Sequence, residues 1–467
     1  MDGLRVMPKG TRNIDILFEG SHLTHFGGMV LIHRFCKSIF LKKRPQEFMR
    51  LPANQGYHPS ELILALLYAI IMGMKRINKT EIPQYNGFFL EILGLSRFPD
   101  QTTLRRFLKR LSPQSIRQLV RLQDSLRARL FGLPGKPTSL VFDLDSVVIT
   151  VYGKQERSQI GYNPKKPGRR SYHPLFCFEA NRQEFRHGSL RPGNTTAATG
   201  AVAFMKICLA KAPGGIARSR IRFRMDSGFY GQRPVRFLDG SGCGYVIVAK
   251  EYSPIKAQAR KCKFQRLANG WEAGEFYANV HQKWASPHRF VVVRRPIPQD
   301  PVEAKQLTLF KDPQYVYHVF ITNPPMSPWR VCLFYNPRAT IEKNNREFLY
   351  DYPLGKIPTN TMDSQRCLFP ITFIRGQSCS LVQENLFAQR ISNNHTRYDT
   401  NRFFSFAGKI YQTRQPEYFD VAKRLPSPQR VPTGVKQDPE TSSAKEFSFL
   451  RVTLSCLSSR HLEKMAF

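Results

Sequence analysis

Acidic residues are scarce in this sequence: 34 Asp and Glu face 71 Lys and Arg, a formal net charge of +37 over 467 residues. Such an excess raises the affinity for polyanions and speeds encounter with them, so nucleic acid is the leading partner. Paired cysteines are also lacking. Nine cysteines are present and none forms a Cys-x-x-Cys pair, which argues against a zinc ribbon or a disulfide scaffold and fits a reducing cytosol. Long apolar runs are missing. The longest, Leu62 to Met74, is too short to cross a bilayer, and the first residues lack the charged-then-apolar order of a signal peptide. The expectation is a soluble intracellular protein without a membrane partner, large enough for two or three domains.

Residues 1–135 read as an all-helical N-terminal domain. Pro59, Ser60 and Glu61 open the apolar run as helix starts prefer. Phe98 to Leu111 reads as a capped helix with Leu104, Leu108 and Leu111 on one face and Arg105, Arg106, Lys109 and Arg110 largely on the other. A basic helical face in that position is suited to DNA phosphates or a groove. After Gly135 the pattern turns to strand: Leu140 to Val151, Tyr172 to Ala180 and Glu184 to Leu190, then a helix over Thr195 to Ala212 and a strand from Ile221 to Asp226. Tyr245 to Ala249 adds another core strand. Residues 251–330 lose helical periodicity and read as a β-rich insertion, and helix signals return in 331–360, where Asn336 is a plausible N-cap ahead of Pro337. The loop Gly161 to His173, rich in Pro and Gly, carries Lys165, Lys166, Arg169 and Arg170 and suits a phosphate backbone.

Two carboxylates, Asp143 and Asp145, interrupt the apolar strand Leu140 to Val151. A buried carboxylate is costly unless paired or bound to a metal, so this strand is expected to supply the first ligand of a metal site. Asp226, at the end of a strand, and Glu342, on a helix, are candidates for the others. Three carboxylates gathered in one place repel one another unless divalent cations separate them, and hard oxygen ligands suit two Mg²⁺ or Mn²⁺ ions. Two such ions roughly 4 Å apart serve phosphodiester chemistry. Arg338 shares a helix face with Glu342 and is placed to hold a phosphate.

The runs Phe142-Asp-Leu-Asp-Ser, Tyr152-Gly-Lys-Gln-Glu, Gly161-Tyr-Asn-Pro, Ser171-Tyr-His-Pro-Leu, Arg224-Met-Asp-Ser-Gly-Phe-Tyr and Tyr335 to Glu342 resemble the DDE transposases of bacterial insertion sequences, most of all the insertion-sequence thirteen-eighty family. The resemblance covers about residues 15 to 360. It implies an α/β (α+β) ribonuclease-H-like catalytic core with a β-rich insertion, Mg²⁺ dependence, binding to terminal inverted repeats, cleavage at the element ends, and attack of the freed 3′-hydroxyl on target DNA. A homodimeric synaptic complex on double-stranded DNA, in the cytoplasm and at the nucleoid of a bacterium, is implied too. Catalytic and metal-binding roles fall on Asp145, Asp226 and Glu342, with Asp143 a supporting neighbour. In relatives a Tyr-x₂-Arg-x₃-Glu-x₆-Lys signature recurs. Tyr335, Arg338 and Glu342 match it, whereas position 349 is Leu349 instead of Lys.

The relatives continue past Leu354-Gly-Lys-Ile-Pro358 with a long apolar helix. Here residues 361–467 carry scattered prolines and little helical stripe, an atypical tail that suggests a shift of reading frame near position 360 and a defective or altered copy. Two other functions share these features: a metal-dependent nuclease without strand transfer, and a DNA-binding remnant that has lost catalysis.

Overall fold

The computed structural model describes residues 23–24, 26, 29–38, 56–74, 76–80, 90, 97–131, 137–250, 252–267, 270–280, 284, 286–296, 315–346, 349, 360–364, 366, 370–371, 408–411 and 418–421. The chain divides into two compact units, residues 1–107 with 378–467, and residues 108–377. Most of the tail expected to be atypical, and Leu354 to Pro358 before it, lie outside the described residues. No helix among the described residues is long and apolar enough to cross a membrane.

In the first unit, α1 spans Met29–Ser38 and α2 spans Pro59–Ile71. His58 caps α2: its ring accepts from the Ser60 amide, and its own amide donates to Glu61. All of α2 except Glu61 is buried. The helix α3, Gln101–Arg110, is capped by Asp100, whose carboxylate accepts from Thr102 and from the Thr103 amide and is held down to about 2 chiefly by the Thr102 hydroxyl. Leu104 and Leu108 are buried along α3 while Arg105, Arg106, Lys109 and Arg110 are exposed. The described N-terminal residues are not helical throughout: the two-residue strand Leu23–Thr24 pairs with Gly408–Tyr411, which pairs in turn with Tyr418–Val421.

The second unit takes in the last residues of α3 from Leu108, continues with α4, Pro113–Phe131, and is built on a nine-stranded sheet. Its strands are β1 (Leu140–Ser146), β2 (Leu175–Glu179), β3 (Glu184–Ser189), β4 (Ile221–Met225), β5 (Gly244–Val248), β6 (Gln265–Arg266), β7 (Glu272–Ala278), β8 (His288–Pro296) and β9 (Tyr315–Thr322). The spatial order is β6-β7-β8-β9-β5-β4-β1-β2-β3. Strands β1, β4 and β5 are parallel neighbours, and every other pairing is antiparallel. The run β3-β2-β1-β4-β5, in a mixed α/β layering, fits a ribonuclease-H-like core.

Helices α5 (Ala201–Ala210), α6 (Gln232–Ser241) and α7 (Ser253–Lys261) cover one face of the sheet, where Phe142, Leu144, Phe223, Tyr245 and Ile247 meet Phe204, Met205, Leu238 and Ile255. On the opposite face Val246, Val291, Val293 and Phe320 pack with Val331 and Cys332 of α8, Pro328–Tyr335. Alternate residues of β5 and β8 thus serve the two faces, as the pleat requires.

Several elements differ in extent from their sequence reading. The strand expected to run to Val151 leaves the sheet at Ser146, where the Val147 amide turns to the Pro174 carbonyl. The helix expected from Thr195 starts only at Ala201, because Thr195, Thr196 and Thr199 spend their hydroxyls on local turn bonds. A helix, α7, lies inside the stretch read as lacking helical periodicity, with Ile255 and Ala259 one turn apart and buried. Beyond it, β9 hydrogen-bonds onto the free edge of β5, and β8 and β7 follow it outward and prolong the core sheet.

His187 of β3 stacks on Phe204 with ring centroids 4.9 Å apart, and Lys211 Nζ lies 3.4 Å from its Nδ1. Burial, and then the Lys211 charge, push this imidazole down to about 3. The unfolded chain takes up a proton that the folded chain refuses, so the associated stability is complete above the ordinary histidine range and is lost as pH falls toward the folded value. Between about pH 7.5 and about pH 5 the wild type should lose roughly 2 kcal/mol more than His187→Gln in urea unfolding. Equal losses in the two proteins would refute the assignment.

Candidate functional site

Asp143 and Asp145 stand two residues apart on β1 and therefore share a face, the one opposite Phe142 and Leu144. Asp143 is buried and is opposed across the parallel ladder by Arg224 of β4. The guanidinium grips it in a fork, Nε to Oδ1 at 2.6 Å and Nη2 to Oδ2 at 2.7 Å. Burial still pushes the Asp143 carboxyl up, against the pull of Arg224. The remaining nitrogen, Arg224 Nη1, donates to the Phe334 carbonyl at 2.7 Å, in the last turn of α8 where carbonyls lack intrahelical partners.

That bond anchors the helical segment carrying the other candidate residues. The sequence reading had Asn336 as a cap and Pro337 at the start of a helix. Instead the segment begins at Pro328, and Asn336 has helical backbone angles of φ −51° and ψ −42°. Residues Asn336–Arg338 form a 3₁₀ turn joining α8 to α9, Ala339–Arg346. Pro337 has no amide to donate, and the tighter turn absorbs the missing bond. Tyr335 ends α8 with its ring centroid 4.9 Å from that of Phe320, and burial pushes its hydroxyl up to about 12.

From this junction Arg338 reaches back over β1. Its Nη2 donates to the Leu144 carbonyl at 3.3 Å and to Asp145 Oδ1 at 3.0 Å, and lies 3.6 Å from Asp226 Oδ2. Asp226 directly follows β4, so both acids sit at the carboxyl ends of adjacent parallel strands. Its Oδ1 caps the next turn by accepting from the Gly228 amide at 2.9 Å. A side chain at Gly228 would stand 2.9 Å from Ala197 Cβ and 3.0 Å from that same oxygen, so the close turn calls for glycine. On α9, Asn345 Nδ2 donates to Asp145 Oδ2 at 2.6 Å. Glu342 is exposed on α9.

Burial pushes the Asp145 carboxyl up to about 6; Arg338 pulls it down, while the negative charges of Asp226 and Glu342 push it further up. Arg338 is held above its ordinary value: burial opposes its charge, but Tyr335, Asp145, Asp226 and Asp143 outweigh that effect. Both Asp226 and Glu342 thus act electrostatically on Asp145, and the guanidinium is the cation set between Asp145 and Asp226. Their oxygens are of the hard type that divalent Mg²⁺ or Mn²⁺ prefers. Asn345 Oδ1, buried beside them, has no hydrogen-bond partner among the described residues. In donor chemistry the residues fit a divalent cation. With Arg338 and Asn345 engaging Asp145, no three His, Cys, Asp or Glu side chains among the described residues stand as a ready-made ligand group.

Over residues 6–435 the sequence matches the family described as transposase DDE domain, group 1. The chain belongs to this family. The match runs past the position near 360 where a frame shift was expected. Among solved structures, this DDE-domain chain is similar to a piggyBac transposase synaptic complex with hairpin DNA, determined by cryo-electron microscopy, at 11% identity and a TM-score of 0.43, with 82% of this chain and 79% of that chain covered. No curated protein matches it.

The other expected contact residues of the DDE-domain chain lie on two elements. Lys165, Lys166 and Arg169 are exposed on the loop after β1, whereas Arg170 is half-buried and donates from Nε to Ser158 Oγ at 3.0 Å. Arg105, Arg106 and Lys109 line the exposed side of α3. Two residues were missed from sequence. Asn345 was findable, being seven positions after Arg338 and three after Glu342 on one helical face. Arg224 was not, because only the strand register sets it against Asp143.

Removing one partner of a buried, forked ion pair leaves an uncompensated charge, whereas replacing both by apolar groups is far milder. Arg224→Met should therefore cost about 3–5 kcal/mol in urea unfolding, and Asp143→Leu combined with Arg224→Met should recover most of it. A double variant no more stable than Arg224→Met would sink the assignment of the cost to the stranded carboxylate.

Proposed function

We propose that the protein is a DNA transposase of the insertion-sequence thirteen-eighty type, which binds the terminal inverted repeats of its element, cleaves the element ends and joins the freed 3′-hydroxyl to target DNA. The observation that carries this reading is the meeting of Asp145 and Asp226 on one guanidinium at the carboxyl ends of adjacent parallel strands, in a chain of the DDE family. Asp145, Asp226 and Glu342 would hold two Mg²⁺ or Mn²⁺ ions, which when bound activate an attacking water or hydroxyl and stabilise the leaving oxygen of a phosphodiester.

The chain's own residues supply binding and orientation. Arg338 offsets part of the negative charge of Asp145 and Asp226, to which its Nη2 lies at 3.0 and 3.6 Å. Asn345 fixes the orientation of the Asp145 carboxylate. Lys165, Lys166 and Arg169 hold the DNA backbone beside the site, and the exposed Arg105, Arg106 and Lys109 contact duplex phosphates. The working assembly is a homodimer that brings two element ends together.

The test is an assay with Mg²⁺ and DNA carrying candidate element ends. Joined products support transposition, cuts alone indicate a nuclease, and bound but intact DNA indicates a remnant that has lost catalysis. Asp226→Ala should abolish cleavage and leave duplex binding largely unchanged; cleavage by that variant at the wild-type rate would overturn the site.

A further inference from the structure

A single exposed apolar side chain is ordinary, whereas several on one short stretch mark an interaction surface. Among the described residues, three of the most exposed stand within one stretch: Tyr152 at 75%, Ile160 at 58% and Tyr162 at 75%. Ile160 belongs to a small three-stranded sheet, Ile149–Thr150 with Arg170–Tyr172 and Gln159–Ile160, and Tyr152 and Tyr162 each lie two residues beyond one of its strands; the sheet begins three residues after β1 and so lies at the end of that strand where Asp145 sits. From Tyr152 through Arg170 the sequence has six Lys or Arg and a single Glu. The Arg169 guanidinium lies 5.9 Å from the centre of the Tyr152 ring.

This surface is held from beneath. Asn163 is buried, donates to Thr150 Oγ1 at 2.9 Å and accepts from the Lys166 amide at 3.2 Å. Buried Ser158 takes the Arg170 side chain, and Tyr172 donates to the Glu156 carbonyl. Glu156 in turn bonds to the backbone of residues 360 and 362. A firmly tied scaffold that presents two tyrosine rings outward among cations is not explained by packing, since the rings contribute little to any core.

We infer that Tyr152 and Tyr162, with Arg169, Lys165 and Lys166, form a stacking platform for unpaired bases of DNA at the edge of the candidate site. Aromatic faces stack on base faces, which an intact duplex keeps covered, while the flanking cations track the phosphates. A second copy of the chain is a poorer occupant, because one dense cationic patch would have to meet another. The inference rests on the reading of the protein as DNA-binding.

It is tested with the full chain and two fluorescent DNA probes, a duplex and the same duplex with an internal run of unpaired bases, by anisotropy at fixed salt. The wild type should prefer the unpaired probe. Tyr152→Ala with Tyr162→Ala should weaken that probe's binding by about tenfold for each ring removed while leaving duplex affinity and the thermal unfolding midpoint unchanged. Phe at both positions should restore the preference, whereas Lys165→Ala with Lys166→Ala should weaken both probes alike. Wild-type binding of both probes by the alanine variant overturns the platform and leaves the transposase reading standing. A shift of oligomeric state in that variant, with base preference intact, assigns the surface to self-association and also overturns it. Failure of the wild type to bind either probe overturns both readings.

Discussion

The fork between Asp143 and Arg224 is the contact on which the candidate site depends. A carboxylate placed inside a sheet is tolerable only when its charge is met by geometry as good as this one. Two of the three engaged guanidinium nitrogens satisfy the acid, and the third holds the carbonyl of Phe334. One side chain thereby fixes the register of two strands and the seat of the helical segment above them. Arg338 is four residues past that carbonyl, across the 3₁₀ turn at Pro337, and its reach to Asp145 depends on where the turn is pinned.

Around Asp145 the electrostatics follow from crowding. Burial and two neighbouring acids favour the neutral carboxyl, and the Arg338 guanidinium and the Ser146 backbone amide oppose them. Arg338 draws its own stability of charge from the same acids and Tyr335. A site of this kind is balanced around a single positive charge. The small sheet after β1 continues the same theme at the surface, where cations and exposed rings replace acids and buried helices.

Much of this was legible in the residues. The apolar run of β1 with acids at alternate positions pointed to a buried strand facing something charged, and Asp226 at a strand end and Arg338 with Glu342 one turn apart pointed to the rest. The helices α2 and α3 were readable because a Pro-Ser-Glu start, and in α3 a 3.6-residue stripe, are local signals, although the cap of α2, His58, was not among the residues read as its start. The start of α5 was not, since threonines that fit a helix by pattern found local hydroxyl bonds instead. Nor was the true course of the α8 and α9 segment, because a proline reads equally well as a helix start and as a 3₁₀ joint.

By itself the sequence determined the chemistry available: a large positive charge, a few carboxylates in apolar settings, and strands and helices whose periods survive in short windows. Only the tertiary structure decided which groups meet. The pairing of Asp143 with Arg224, the union of β7 to β9 with the edge of β5, and the placing of one guanidinium between Asp145 and Asp226 all join residues far apart in the chain. Periodicity says that a segment is a strand with one buried face; it carries no information about which strand lies beside it, and that choice is made by the packing of the whole sheet.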